Sequence, residues 1–202
     1  NGLEMSLVTL VPVSAGLLIV GQPLIAFIYE GGAFTAEDTH NTYIAMLMYL
    51  PLIITQGMQF IIAKAMYALG KTSIILRISI TTIVLNIILN VLLVDPLGYP
   101  GLALSSSLVS FYYFTMSTFF LYRNLDRGEF QKIIVLILRV GLATLIMLIP
   151  LATIQKLTEI STWSPILQLF TIVPLGSLIY IAATYFFNRP SFNHLIQIIK
   201  QR

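Results

Sequence analysis

"SIILRISITTIVLNIILNVLLVDPLGYPGLALSSSL", Ser73–Leu108, decides how this chain folds. From Ser73 to Val94 the only charge is Arg77. A bilayer core of about 30 Å is crossed by about 20 apolar helical residues, so this run is long enough to span. Asp95-Pro96 and Tyr99-Pro100-Gly101 then predict a tight turn, and a second long apolar run begins at once. A membrane barrel would show alternating segments of about ten residues, and none is present. Lipid satisfies no backbone polar group, so each crossing must be a helix.

The same reading extends outward from this hairpin to six spans: Met5–Tyr29, Tyr43–Leu69, Ser73–Val94, Gly101–Tyr122, Gln131–Leu157 and Pro165–Phe187. The expected class is an all-α integral membrane protein. Only 9% of the residues are charged, against about 25% in soluble domains. Eleven basic residues, scattered along the chain, exclude a nucleic-acid surface. Cysteine is absent, which excludes disulfides and thiolate metal sites. The chain opens at Asn1 with no basic region before its first apolar run, so it reads as a piece of a longer protein and not as one led by a signal peptide. Gly21-Gln22-Pro23 is expected to interrupt the first span, since proline removes a helical hydrogen bond. Ser164-Pro165 is expected to open the sixth. Pro12, Pro51, Pro150 and Pro174 are expected to kink the helices that hold them.

Charge sorts the connections into two sides. Lys71, Arg77, Arg123, Arg127, Lys132, Arg189, Lys200 and Arg202 fall on one; Glu30, Glu37, Asp38, Asp95 and Glu159 fall on the other, with Lys156 as its only base. The positive-inside rule puts the basic side, and both ends of the chain, in the cytoplasm. The stretch "YEGGAFTAEDT", Tyr29–Thr39, then faces outside. Gly31-Gly32 allows a sharp turn, and Thr35 followed by Glu37 and Asp38 reads as an N-cap with acids at the positive end of the helix dipole. A metal or catalytic role for Glu37, Asp38 and His40 would need ligands from elsewhere.

Two stretches carry a resemblance. "LVPVSAGLLIVGQPLIAFIYEGGAFTAEDT" and "AKAMYALGKTSIILRISITTIVLNIILNVLLVDPLGYPGLALSSSL" (residues 63–108) resemble the C-terminal half of MurJ (MviN) type lipid II flippases, a branch of the multidrug, oligosaccharide-lipid and polysaccharide exporter superfamily. Order and spacing agree over about 110 residues, the sharpest features being Lys64-Ala-Met-Tyr-Ala-Leu-Gly, where the family pattern has an aromatic at the position of Met66, and a Pro-Leu-Gly turn that leads into Gly-Leu-Ala-Leu. The resemblance implies helices nine to fourteen of a fourteen-helix, two-lobed transporter whose N-terminal helices, with most of the cavity arginines, are missing here. Residues 1–122 would be the last four helices of the C-terminal lobe, 131–187 two extra helices bordering a groove for the polyprenyl tail, and 189–202 a cytoplasmic amphipathic tail. That tail carries Phe192, Leu195, Ile196, Ile198 and Ile199, with His194 an interface residue.

Single residues admit two readings each. Lys64, Arg77 and Arg139 are either interface anchors whose long stems reach the headgroups or substrate-binding and gating groups. Asn86 and Asn90 are four apart and share a helix face, with Thr82 extending it and Gly101, Ala103, Ser105, Ser106 and Ser107 opening the next helix. They form either packing glue or a cation site of Asn86, Asn90 and Ser106 oxygens. The resemblance implies that some family members carry an acid where Asn90 stands, and a neutral amide attracts Na⁺ less strongly. No metal or organic cofactor is expected; Na⁺ or the membrane potential is the candidate coupling.

The expected function is alternating-access flipping of a lipid-linked peptidoglycan precursor (lipid II) across the bacterial cytoplasmic (inner) membrane. The partners would be that lipid-linked saccharide, the membrane lipids and the missing helices. Another exporter of the superfamily, moving polysaccharide-lipid or drugs, is the alternative. A membrane-embedded enzyme is disfavoured: the chain has two His, no Cys and no acid within a span. A purely structural membrane subunit is the remaining class.

Overall fold

The computed structural model describes residues 2–123, 127–157 and 160–187. Six long helices account for nearly all of them: α1 (Gly2–Tyr29), α2 (Ala36–Ala68), α3 (Thr72–Leu97), α4 (Tyr99–Tyr122), α5 (Arg127–Leu157) and α6 (Pro165–Phe187), with one turn of 3₁₀-helix at Ile160–Thr162. Lys132 lies in α5, but the amphipathic tail 189–202, with His194, lies outside the described residues. Large apolar side chains remain exposed along every helix, among them Phe60, Val91, Ile149 and Phe170. This is the pattern of helices surrounded by lipid, where apolar surface need not be hidden from water.

One sequence expectation fails. Gly21-Gln22-Pro23 does not interrupt the first span: α1 runs unbroken through both Pro12 and Pro23. Proline deletes one N–H, but neighbouring packing and small local adjustments satisfy the freed carbonyl within a membrane helix. The turn after α3 is also tighter than expected. Asp95 and Pro96 stay helical, and the reversal falls on Gly98 alone, at φ +62°. Pro100 follows as the second residue of α4, where its missing N–H costs nothing. Pro165 opens α6 as expected, with the Gln168 N–H on the Ser164 carbonyl at 3.1 Å.

The outer connection between α1 and α2 is a built turn. Gly31 and Phe34 exchange backbone hydrogen bonds of 3.1 and 3.0 Å, and Gly32 takes φ +58°, which only glycine adopts cheaply. The Thr35 cap is observed: the Asp38 N–H donates to Thr35 Oγ1 at 3.3 Å, while the Thr35 N–H and hydroxyl donate to Asp38 Oδ2 at 2.8 and 2.7 Å. This is a reciprocal capping box with Asp in the place of Glu. The Thr39 hydroxyl ties Glu30 into the same turn at 3.0 Å.

The chain divides into two compact units. One holds α1, the outer turn with the first residues of α2, α5 from Val135 onward, and α6. Its core is Val20, Met147, Leu151, Ile160 and Ile172, and a hydrogen bond of 2.8 Å from the Tyr180 hydroxyl to the Val8 carbonyl joins α6 to α1. The other unit, residues 44–134, holds the rest of α2 with α3 and α4. Ile62, Met66, Ile75, Ile78, Ala103 and Val109 are buried there. The grouping cuts across chain order, placing the first helix with the last two.

Candidate functional site

Polar chemistry concentrates in the second unit, on the two faces of α4. Toward α2, Ser107 donates to the Met48 carbonyl. One turn on, the Ser110 hydroxyl meets Thr55 Oγ1 at 2.7 Å and accepts from Gln59 Nε2 at 2.7 Å. The same Gln59 nitrogen reaches the Ser110 carbonyl at 2.6 Å. These contacts straddle Pro51, which lies inside α2 and lacks the N–H that would close its turn. They clamp α2 to α4 where α2 is weakest.

Toward α3 the contacts centre on Asn90. Ser105, fully buried, meets Asn90 Oδ1, and Asn90 Nδ2 lies 3.2 Å from Asn86 Oδ1. Ser105 Oγ is also 2.9 Å from the Leu102 carbonyl. A hydroxyl has one proton, so it cannot donate fully to both oxygens. Turning both amides over resolves the conflict, since amide O and N are assigned from the network. Asn86 then donates to Asn90, Asn90 donates to Ser105, and Ser105 donates to Leu102. The chain of bonds is complete without any charged group. Ser106, the hydroxyl expected at this place, is half-buried and bonds back to the Leu102 carbonyl of its own helix at 3.0 Å. The missed signal is the helical register: Ser105 lies one turn on from Gly101, on the face toward α3, and Ser106 is rotated about 100° away from it.

A Na⁺ ion needs several oxygens turned toward one point. In this relay the oxygens of Asn90 and Ser105 accept from their neighbours, which leaves Asn86 Oδ1 alone. The residues therefore fit a neutral clasp better than a Na⁺ site. Gly101 completes the clasp: a Cβ there would lie 2.1 Å from the Leu93 carbonyl oxygen, so only glycine lets α4 come this close to α3.

The three basic candidates are all exposed and have no ion pair among the described residues. The Lys64 ammonium lies 4.4 Å from the centre of the Phe60 ring. Arg77 lies in the second turn of α3. Arg139 belongs to the other unit. Among the described residues, no three His, Cys, Asp or Glu side chains gather as a metal set. Glu37 and His40 are exposed, and Asp38 is engaged in the cap.

The first unit carries an apolar groove of about 470 Å³ between α1, α5 and α6. Val8, Pro12, Gly16, Val20 and Leu24 line it along α1, Met147 and Leu151 along α5, and Ile172, Gly176 and Tyr180 along α6. From Val8 to Leu24 the helix takes sixteen steps, or about 24 Å at 1.5 Å per residue. Glycines keep it open. A Cβ at Gly16 would meet nothing within 4 Å, while one at Gly176 would lie 2.9 Å from Leu151 Cδ1.

A family model described as lipid II flippase MurJ matches residues 1–173. The chain belongs to the MurJ family. MurJ relatives include a probable lipid II flippase of Rickettsia prowazekii, 33% identical over 115 residues, which cover 55% of this chain and 22% of that one. One from Buchnera aphidicola (of Schizaphis graminum) is 26% identical over 205 residues, covering all of this chain and 40% of its own. The solved structure of a lipid II flippase MurJ in an inward closed conformation superposes on 93% of this chain and 38% of that one, with TM-score 0.77 and 24% identity. That match establishes the fold of a multi-helix membrane transporter. The chain spans well under half the length of these MurJ proteins, and it is a multi-pass membrane protein.

Proposed function

We propose that this chain is the C-terminal part of a transporter that carries the lipid-linked peptidoglycan precursor lipid II outward across the bacterial inner membrane. Its two ends face the cytoplasm. No bond is made or broken; the substrate moves by alternating access. The apolar groove of the first unit carries the proposal. It runs about 24 Å along α1, close to the depth of the hydrocarbon core, and its lining offers an extended prenyl chain continuous contact and almost no polar atom. Membership of the MurJ family supplies the expectation of the saccharide-diphosphate head, and Lys64, Arg77 and Arg139 are the basic groups of this chain that could meet or gate it. Coupling through a cation at Asn86 and Asn90 is not supported by the neutral relay. The membrane potential, which acts on any transferred charge at about 2.3 kcal/mol per 100 mV, is compatible with it.

The test uses space that the fold leaves open. Gly16→Phe in the intact protein puts an aromatic ring into the groove, and nothing lies within 4 Å of the added Cβ. Gly141→Phe is the control: Gly141 is equally open and lies outside the groove lining. Gly16→Phe should abolish rescue of cells depleted of their own flippase and weaken retention of a polyprenyl diphosphate at least tenfold, while Gly141→Phe rescues. Equal rescue by both would remove the groove from the transport path.

A further inference from the structure

Between Asp38 and Asp95 the chain contains no acid at all, yet it contains Lys64, Lys71 and Arg77. All three lie around the α2–α3 turn, and none has an ion-pair partner among the described residues. Residues 41–63 are uncharged, and 23 helical residues rise about 34 Å. That is the thickness of the hydrocarbon core with a small margin. Lys64 is therefore the first charge met on leaving the core along α2, at the level of the headgroup phosphates.

Its surroundings are built for an anion. Phe60, Lys64 and Tyr67 recur at i, i+4 and i+7, so they share one face of α2. All three are exposed, Phe60 at 65% and Tyr67 at 52%. The Phe60 ring beneath the ammonium, 4.4 Å away, steadies its position without cancelling its charge. The Tyr67 hydroxyl, one turn further on, makes no hydrogen bond among the described residues. An ammonium and a phenol, both donors and both without a protein acceptor among the described residues, share one helix face with an apolar ring on their core side.

We propose that Phe60, Lys64 and Tyr67 form a seat for one anionic phospholipid of the bilayer. Lys64 and Tyr67 donate to its phosphate, and its acyl chains descend past Phe60. Charge complementarity selects the occupant: the acid-free hairpin offers its cations no internal counter-ion, and a headgroup with net negative charge supplies one. The seat needs no assumption about what the transporter moves.

The experiment compares lipid retention by the intact protein in nanodiscs of phosphatidylcholine, into which phosphatidylglycerol is titrated, read by native mass spectrometry with the melting temperature alongside. The wild type should retain phosphatidylglycerol over phosphatidylcholine. Lys64→Gln should lower that preference about tenfold, and Phe60→Leu by a smaller factor, because the charge stays but its position loosens. Lys64→Arg should keep the preference and so shows that the fold tolerates change at this position. Four results would overturn the proposal. The first is no preference in the wild type, and the second is a preference kept by Lys64→Gln. The third is loss by Lys64→Gln of only a polyprenyl diphosphate added as competitor, which would assign the seat to the cargo. The fourth is equal destabilisation by Lys64→Gln in both lipids, since Lys64 would then pair with an acid elsewhere in the protein.

Discussion

Asn90 shows how one side chain separates two mechanisms. As an amide it closes the relay from Asn86 through Ser105 to the Leu102 carbonyl. Asn90→Asp replaces the amide donor that faces Ser105 with a carboxylate. The buried charge must find a cation, take up a proton or cost several kcal/mol. If the clasp is neutral, the melting temperature of the wild type should be the same in Na⁺ and K⁺ at equal ionic strength, and Asn90→Asp should lower it in both. A Na⁺-specific rise in the wild type, lost in Asn86→Leu, would show an ion site instead. The spacing of Asn86 and Asn90 was legible in the sequence because helical period alone sets it. The partner hydroxyl was not, because three consecutive serines look alike until the helix rotation puts Ser105 inside and Ser106 out. In the α1–α2 turn, the Thr35 N–H and hydroxyl hold the Asp38 carboxyl below its ordinary value, the backbone bond contributing most. Asp38 stands in the first turn of α2, ahead of the span. A lowered carboxyl pKa stabilises the fold above the unfolded value of about 4, and that stability is lost as pH falls through the folded value. Asp38→Asn should therefore narrow the gap to the wild type as pH drops below about 4, with the two melting temperatures converging.

Gly101 governs the α3–α4 hairpin as an element. Gly98 reverses the chain in one residue, so α4 starts pressed against the end of α3. The Leu93 carbonyl would lie 2.1 Å from any Cβ at Gly101, and backbone cannot step aside as a flexible side chain can. Gly101→Ala should cost about 1–3 kcal/mol or more by overpacking, read as a lowered melting temperature. Gly2→Ala, whose Cβ would meet Ile61 no closer than 3.5 Å, should be nearly neutral. The turn itself was legible from Pro-Leu-Gly and Tyr-Pro-Gly, but the exact ends were not. Asp95 and Pro96 read as breakers, yet a proline within the last turn of a helix leaves few bonds to lose, and α3 continues to Leu97. The same physics explains α1, where Pro23 looked like an interruption and packed neighbours hold the helix straight through it. Local signals locate turns well where glycine must supply a positive φ. They overstate breaks where only one hydrogen bond is at issue. The groove of the first unit lay beyond sequence reading for a different reason: its lining comes from α1, α5 and α6, more than a hundred residues apart, and no periodicity reports that meeting.

At the scale of the whole molecule the decisive helix is α4. Five helices are long and apolar enough to cross a membrane by composition, and Tyr99–Tyr122 is not among them. Its serines are the reason, yet Ser105, Ser107, Ser110 and Ser117 are buried and hydrogen-bonded. A hydroxyl that bonds within the protein costs the membrane far less than an orphaned one, so α4 should cross. The consequence is a parity test. With six crossings, the α1–α2 turn and the α5–α6 connection lie on one face, and the α2–α3 turn lies on the other. The chain has no native cysteine, so single ones can be introduced at exposed Ala33, Thr162 and Ser73 without background. An impermeant thiol reagent added to intact cells should label Ala33→Cys and Thr162→Cys and spare Ser73→Cys, because Lys71 and Arg77 hold that turn on the cytoplasmic side. If α4 lay along the surface instead, everything after it would invert, and Thr162→Cys would be protected together with Ser73→Cys. Labelling of Ser73→Cys alone would keep all six crossings but reverse the orientation, and the basic face, with Lys64 and Lys71, would then point outward.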